Sequence, residues 1–283
     1  MTFAGNVLLV IIGSPQNLRS SALQALALQM TQCIYVEPIL MVANDRISSN
    51  VNEHQSELLY GRRLSDSELG CAIAHRNAIS QAYKKLSRDR TLEWALIVED
   101  DANLDLTTFK RIEADLFHAG SAPSLVSFYS AKVIEGRQSV RLVDNTKVLE
   151  SRRHLAGIAV CYALNQRGLA DIQYFSTRPI SYVADWPLHY SRLKFFTSVH
   201  TRVSEVEGGS TIGYRPRLRV GERLLLHIRQ LRQIRKIASD HGVSVAHAVC
   251  QLIVFPAWRD VKARLELITR HFRLSAARSS PKT

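Results

Sequence analysis

Three consecutive carboxylates follow a short apolar run in mid-chain: Trp94-Ala95-Leu96-Ile97-Val98, then Glu99-Asp100-Asp101. Like charges this close raise one another's pKa unless a cation offsets them. Hard magnesium or manganese is the usual offset, because both prefer carboxylate oxygen. An apolar run bounded by polar residues reads as a buried parallel-type strand. In open α/β sheets, ligands bind where such strands end. The triplet is therefore a candidate site for a divalent metal and a nucleotide diphosphate. A turn or helix start that favours acidic residues is the plainer alternative.

A second group lies upstream. Ser65-Asp66-Ser67-Glu68 has the form of a capping box, which predicts a helix from there to about Leu86. On that helix Glu68, Cys71 and His75 share one face. His75 could donate to a diphosphate, clamp the acidic loop, or be a satisfied structural histidine. Glu68 can serve the cap alone, and Cys71 the core. Arg62 and Arg63, just before the helix, could neutralise phosphate or stay solvated. Further on, Asp185 precedes Trp186-Pro187 after a strand-like run. An aromatic neighbour suits a sugar face, so Asp185 is the candidate general base; a helix N-cap is the equal alternative.

Receiver domains of response regulators also open with a strand and an acidic pair that holds magnesium. They need a phosphoacceptor aspartate two strands on and a later lysine, for which Asp144 and Lys194 are conceivable. Here the run lies in mid-chain, and Asp144 sits in a polar Asp-Asn-Thr-Lys turn, which counts against this rival.

The elements that must position these residues follow from the pattern. Val7–Ile12 reads as a first strand ending at Gly13-Ser14-Pro15. Leu18–Met30 has helical spacing, Tyr35–Val42 is a second strand, and Asn44–Gly61 reads as a long polar loop. Leu125–Tyr129 and Gly157–Leu164 are further strands. Gly136–Leu149 suggests a hairpin turning at Asp144-Asn145, and Gln166–Phe175 a short helix. Strands alternating with helices predict a Rossmann-like, mostly parallel α/β sheet with flanking helices. Gly208-Gly209-Ser210 reads as a hinge, so a catalytic domain over 1–206 and a basic helical extension over 207–283 are expected.

The chain has 283 residues, 46% of them hydrophobic, enough for one large domain or a domain plus an appendage and too many for a disordered chain. The net charge of +12 is unevenly placed. Arg215–Thr283 carries 15 basic and 4 acidic residues, a net of +11, which leaves 22 basic and 21 acidic residues before it. Such a tail suits an anionic surface. Nucleic acid is the weaker candidate, since the tail lacks interleaved aromatics for base stacking. The four cysteines show no zinc-type spacing and are expected to be reduced. No secretory signal is visible, and Val243–Trp258 falls short of the roughly 20 apolar residues of a spanning helix.

The stretch Arg63–Leu106 resembles glycosyltransferase family 25, which includes lipopolysaccharide-core galactosyltransferases. The matching pieces are Leu64 through His75, containing Glu68-Leu69-Gly70-Cys71, and Trp94 through Asp101. Weaker similarity continues through Gly157–Leu164, Gly168-Leu169-Ala170 and Val183-Ala184-Asp185, over roughly 5–200 in all. Ala74 departs from the usual Ser before His75. After the first strand only Arg19 matches the basic residues typical there.

The resemblance implies a GT-A-like fold and an inverting, metal-dependent transfer of a hexose, commonly galactose, from a UDP-sugar to a lipopolysaccharide or lipooligosaccharide acceptor. It makes the triplet a DXD-like motif. Asp101 and Glu99 would hold Mn2+ or Mg2+, and Glu99 and Asp100 would orient ribose or share the ligation, with Arg62 and His75 also at the nucleotide sugar. Asp185 and Asp100 are the expected catalytic carboxylates. An anionic glycolipid acceptor fits a cytoplasmic enzyme docked on the inner membrane face through its basic tail, with Leu252–Phe255 and Trp258 as interfacial contacts. The competing expectation is a non-catalytic α/β core whose tail binds nucleic acid or membrane.

Overall fold

The computed structural model describes residues 6–38, 51–117, 121–129, 140–142, 148–151, 159–184, 187–198, 201–206 and 219–254. The chain forms two compact units, Met1–Leu218 and Arg219–Thr283.

In chain order the first unit contains β1 (Val7–Ile12), α1 (Ser21–Ala27), β2 (Cys33–Val36), α2 (Glu53–Tyr60), α3 (Asp66–Arg88), β3 (Trp94–Glu99), β4 (Ala102–Asn103) and α4 (Leu106–Phe117). It continues with β5 (Ser124–Ser127), β6 (Val140–Leu142), β7 (Val148–Ser151), β8 (Cys161–Asn165), α5 (Gln166–Gln173), β9 (Lys194–Ser198) and β10 (Ser204–Glu205). Short 3-10 turns cover Tyr174–Thr177 and Leu188–Arg192.

Eight strands form one sheet in the order β2-β1-β3-β8-β5-β9-β7-β6. The apolar runs are continuous because both faces are covered. Leu9, Ile11, Leu96 and Val98 pack on one face with Leu23, Leu26, Phe109 and Ile112 of α1 and α4. Leu8, Val10, Ala95 and Ile97 pack on the other with α3 and α5. Ala74, Ala78 and Ala82 recur every four residues on α3, so one small-residue stripe lets that helix lie close to the strands.

The sheet is mixed, with most strands running one way. β8 and β7 run against the other six. The strand expected over Gly157–Leu164 thus lies antiparallel between β3 and β5, with Val98 opposite Cys161 and Trp94 opposite Asn165. This direction has a consequence for the site. The start of β8, not its end, meets the acidic end of β3.

Capping explains the helix ends. The Ser65 hydroxyl accepts from Glu68 N at 3.2 Å, and the Glu68 carboxylate accepts from Ser65 N at 2.9 Å, completing the capping box that starts α3. Acidic residues in its first turn and Lys85 and Arg88 in its last suit the helix dipole. Part of the expected loop over Asn44–Gly61 is helical: α2 starts at the Asn52 cap and stops at Gly61, whose φ of 73° is left-handed. The 136–149 hairpin exists as β6 against β7, while its turn, with Asp144, lies outside the described residues.

The second unit holds α6 (Val220–Asp240) and α7 (Val245–Val249), followed by a π turn over Cys250–Val254. Ile234, Ala238 and Ala248 form its small core. Phe255 and Trp258 lie outside the described residues. Among the described residues no helix is long and apolar enough to cross a membrane.

Candidate active site

The site forms where β1 and β3 end side by side, with Ile12 opposite Glu99. Gly13 follows β1, and a Cβ there would lie 2.8 Å from the Asp100 Cβ. Glycine is what allows the first loop to pass against the triplet. That loop carries Arg19, and its Ser20 N donates to the Asp100 carbonyl at 3.1 Å while the Ser20 hydroxyl caps α1. On the other side, Val206 N donates to the Asp101 carbonyl at 2.8 Å, next to the short β4–β10 pair.

The three carboxylates face two different settings. Glu99 turns toward α3. Its Oε1 lies 3.1 Å from His75 Nε2 and 3.5 Å from Cys71 Sγ. Beyond His75, Nδ1 lies 2.9 Å from the Tyr162 hydroxyl, and the two rings stack at 5.7 Å. Tyr162 is in turn hydrogen-bonded to Tyr190. This is a chain of hydrogen bonds linking Tyr190, Tyr162, His75 and Glu99, held between α3 and the sheet. His75, Tyr162 and Tyr190 are all buried. Burial pushes the Glu99 carboxyl up, but the His75 hydrogen bond and charge, with Cys71 and Arg19 behind them, outweigh it and hold the carboxyl below its ordinary value. Burial drives the Tyr162 and Tyr190 phenols up, so both stay protonated.

Asp100 and Asp101 turn toward Arg19. Its Nη2 lies 2.6 Å from Asp100 Oδ1 and 3.0 Å from Asp101 Oδ2, and its Nε donates to Asp100 Oδ2 at 2.9 Å. Asp101 is 7% exposed, and its Oδ1 is buried with no hydrogen-bond partner. Burial, with the charge of Glu99 beside it and those of Asp100 and Glu205 beyond, pushes the Asp101 carboxyl up to about 6, although Arg19 pulls the other way. One guanidinium therefore does not satisfy this cluster.

The structure thus brings together Glu99, Asp100, Asp101, His75 and Cys71, and it adds Arg19, Tyr162 and Glu205. Arg62 is placed elsewhere: its Nη1 and Nη2 each lie 2.6 Å from a Glu68 oxygen, so it braces the start of α3. Arg63 pairs with Glu53 and Glu57 of α2. Asp185, the expected base, and Trp186 lie outside the described residues. The neighbouring wall is aromatic and buried, with Tyr182, His189 and Tyr190 in edge contacts.

Fold and site together define a mixed α/β protein with a carboxylate cluster at the end of a central strand. Residues 18–153, just under half of the chain, match the model of Glycosyltransferase family 25 (LPS biosynthesis protein). The family points to a glycosyltransferase of lipopolysaccharide biosynthesis, with a nucleotide-sugar donor and a glycan acceptor. No curated protein matches the chain. Among solved structures, A197 from STIV aligns over 75% of this chain and 99% of its own at 11% identity and a TM-score of 0.33, too distant to carry an inference.

Proposed function

We propose that the chain is a GT-A-type, metal-dependent, inverting hexosyltransferase that moves galactose from UDP to a lipopolysaccharide or lipooligosaccharide acceptor. The observation that carries the metal reading is Asp101. A buried carboxylate with an unpartnered oxygen, beside two further carboxylates, has the donor chemistry a hard cation takes. The residues present therefore fit Mn2+ or Mg2+, held by Asp101 with Asp100 or Glu99. When bound, such an ion supplies Lewis-acid stabilisation of the leaving diphosphate.

The other steps fall to the chain. Glu99, fixed by His75 and Cys71, presents a carboxylate to the donor's ribose hydroxyls. Arg19 has a side chain 40% exposed and bound to two carboxylates, so it can turn to diphosphate oxygens when another cation takes those carboxylates. Asp185 is assigned the acceptor proton as general base. Arg62 acts at one remove, by holding the helix that carries Cys71 and His75.

Docking on the inner membrane face is part of the same proposal. On α6, Leu224, Ile228 and Leu231 are exposed at helical spacing beside exposed Arg229, Arg232 and Lys236. A cationic, apolar-edged helix suits an anionic lipid surface. Binding to anionic but not neutral vesicles supports this, and equal binding to both contradicts it.

The test of the enzyme is UDP-galactose turnover with purified chain. It should need manganese, stop on chelation, and fall on the order of 100-fold or more in Asp101→Asn with unchanged circular dichroism. Turnover that survives chelation removes the metal from the proposal.

A further inference from the structure

Cys71, His75 and Glu99 place a sulfur, a nitrogen and an oxygen donor within 4.8 Å of one another. We propose that these three atoms form a second cation site, selective for a thiophilic divalent ion of the zinc class. It shares Glu99 with the acidic cluster but takes its sulfur and nitrogen donors from α3, and its spectroscopic test does not depend on the sugar-transfer reading.

Four observations carry the proposal. The first is spacing. A tetrahedral zinc, with bonds of about 2.3 Å to sulfur and about 2.0–2.1 Å to nitrogen and oxygen, sets its ligand atoms about 3.3–3.5 Å apart. Here Nε2 to Oε1 is 3.1 Å and Sγ to Oε1 is 3.5 Å. Two of the three separations are already in place.

The second is rigidity. Cys71 and His75 stand one turn apart on a capped 23-residue helix, and Glu99 ends a central strand. Neither element must refold to close on an ion. The third is the outer partner. Metal-bound imidazoles almost always donate their other N–H to a fixed group. Tyr162, held by Tyr190, already sits 2.9 Å from Nδ1 and can accept that proton. The fourth is access. His75 is buried, but Cys71 and Glu99 are partly exposed, which leaves the fourth position open to water.

Softness sorts the two sites. Thiolate and imidazole favour zinc or cobalt, while the carboxylates at Asp100 and Asp101 favour magnesium or manganese. On binding, the Cys71 S–H bond breaks, its proton leaves to solvent, and the sulfur electron pair forms the bond to the metal. The His75 proton moves from Nε2 to Nδ1, freeing the Nε2 lone pair. Glu99 enters as carboxylate, so one proton is released per ion.

The experiment is a cobalt(II) titration of the purified, reduced full chain, followed by absorbance. One equivalent should produce a thiolate-to-cobalt charge-transfer band with the intense visible bands of four-coordination, and zinc should bleach both. Cys71→Ser should lose the charge-transfer band and Asp101→Asn should keep it. Tyr162→Phe should weaken binding about 10-fold or more. X-ray absorption of the zinc-loaded natural chain needs no variant and should show one sulfur plus imidazole scattering. Absence of the charge-transfer band, its persistence in Cys71→Ser, or an oxygen-only first shell overturns the proposal.

Discussion

The two flanks of the acidic strand end hold their carboxylates by opposite means. On the α3 flank, Glu99 ends a buried relay of hydrogen bonds through His75, Tyr162 and Tyr190. On the loop flank, Asp100 and Asp101 share one guanidinium that is substantially open to water. Buried hydrogen bonds are costly to break, because each orphaned group loses its partner without gaining water. An ion pair whose cation is partly open to water is worth less and exchanges more readily than a sealed hydrogen-bond chain. Glu99 is thus a fixed point, while the cation on Asp100 and Asp101 is replaceable. The proposed donor site, which must take up and release a charged leaving group, needs both properties.

Four substitutions sharpen or break this contrast, the largest effect first. Asp101→Asn should cost activity on the order of 100-fold or more while leaving stability nearly unchanged, read from turnover and a urea midpoint. A strong loss of stability instead would make Asp101 structural. His75→Ala removes the centre of the relay and strands Glu99 and Tyr162, so unfolding free energy should fall by about 2–4 kcal/mol. Gly13→Ala should cost about 1–3 kcal/mol, because its Cβ would meet the Asp100 Cβ at 2.8 Å and neither atom is a flexible tip. Arg19→Met should change stability by less than about 1 kcal/mol, yet raise the KM for UDP-galactose. If Arg19→Met destabilises as much as His75→Ala, the two flanks do not differ in kind.

Much of this arrangement was legible in the residues. The capping box at Ser65 and Glu68 and the apolar run into Glu99 announce their own elements, because both signals are local. Strand direction is not local. Gly157–Leu164 reads as a buried strand, but an all-apolar strand packed on both faces carries no mark of its direction, so the antiparallel β8 and the role of Tyr162 were not visible. The Arg19 pair spans 81 residues and depends on β1 lying against β3. A basic residue following the turn after β1 was the available signal. The helix over Glu53–Tyr60 was hidden by its polar composition, although Asn52 and Gly61 are ordinary cap residues. A solvated arginine, a phosphate-binding one and one clamped to Glu68 look alike in sequence, so the bracing role of Arg62 carries no local signal.

The central claim is that the replaceable flank takes a divalent cation together with a nucleotide sugar. A ligand that binds only the folded chain raises its melting temperature by mass action. With manganese and UDP-galactose together, the natural chain should melt several degrees higher than with either alone, and Asp101→Asn should lose that added rise. An equal rise from UDP-galactose in the presence of chelator, or an undiminished rise in Asp101→Asn, would contradict it.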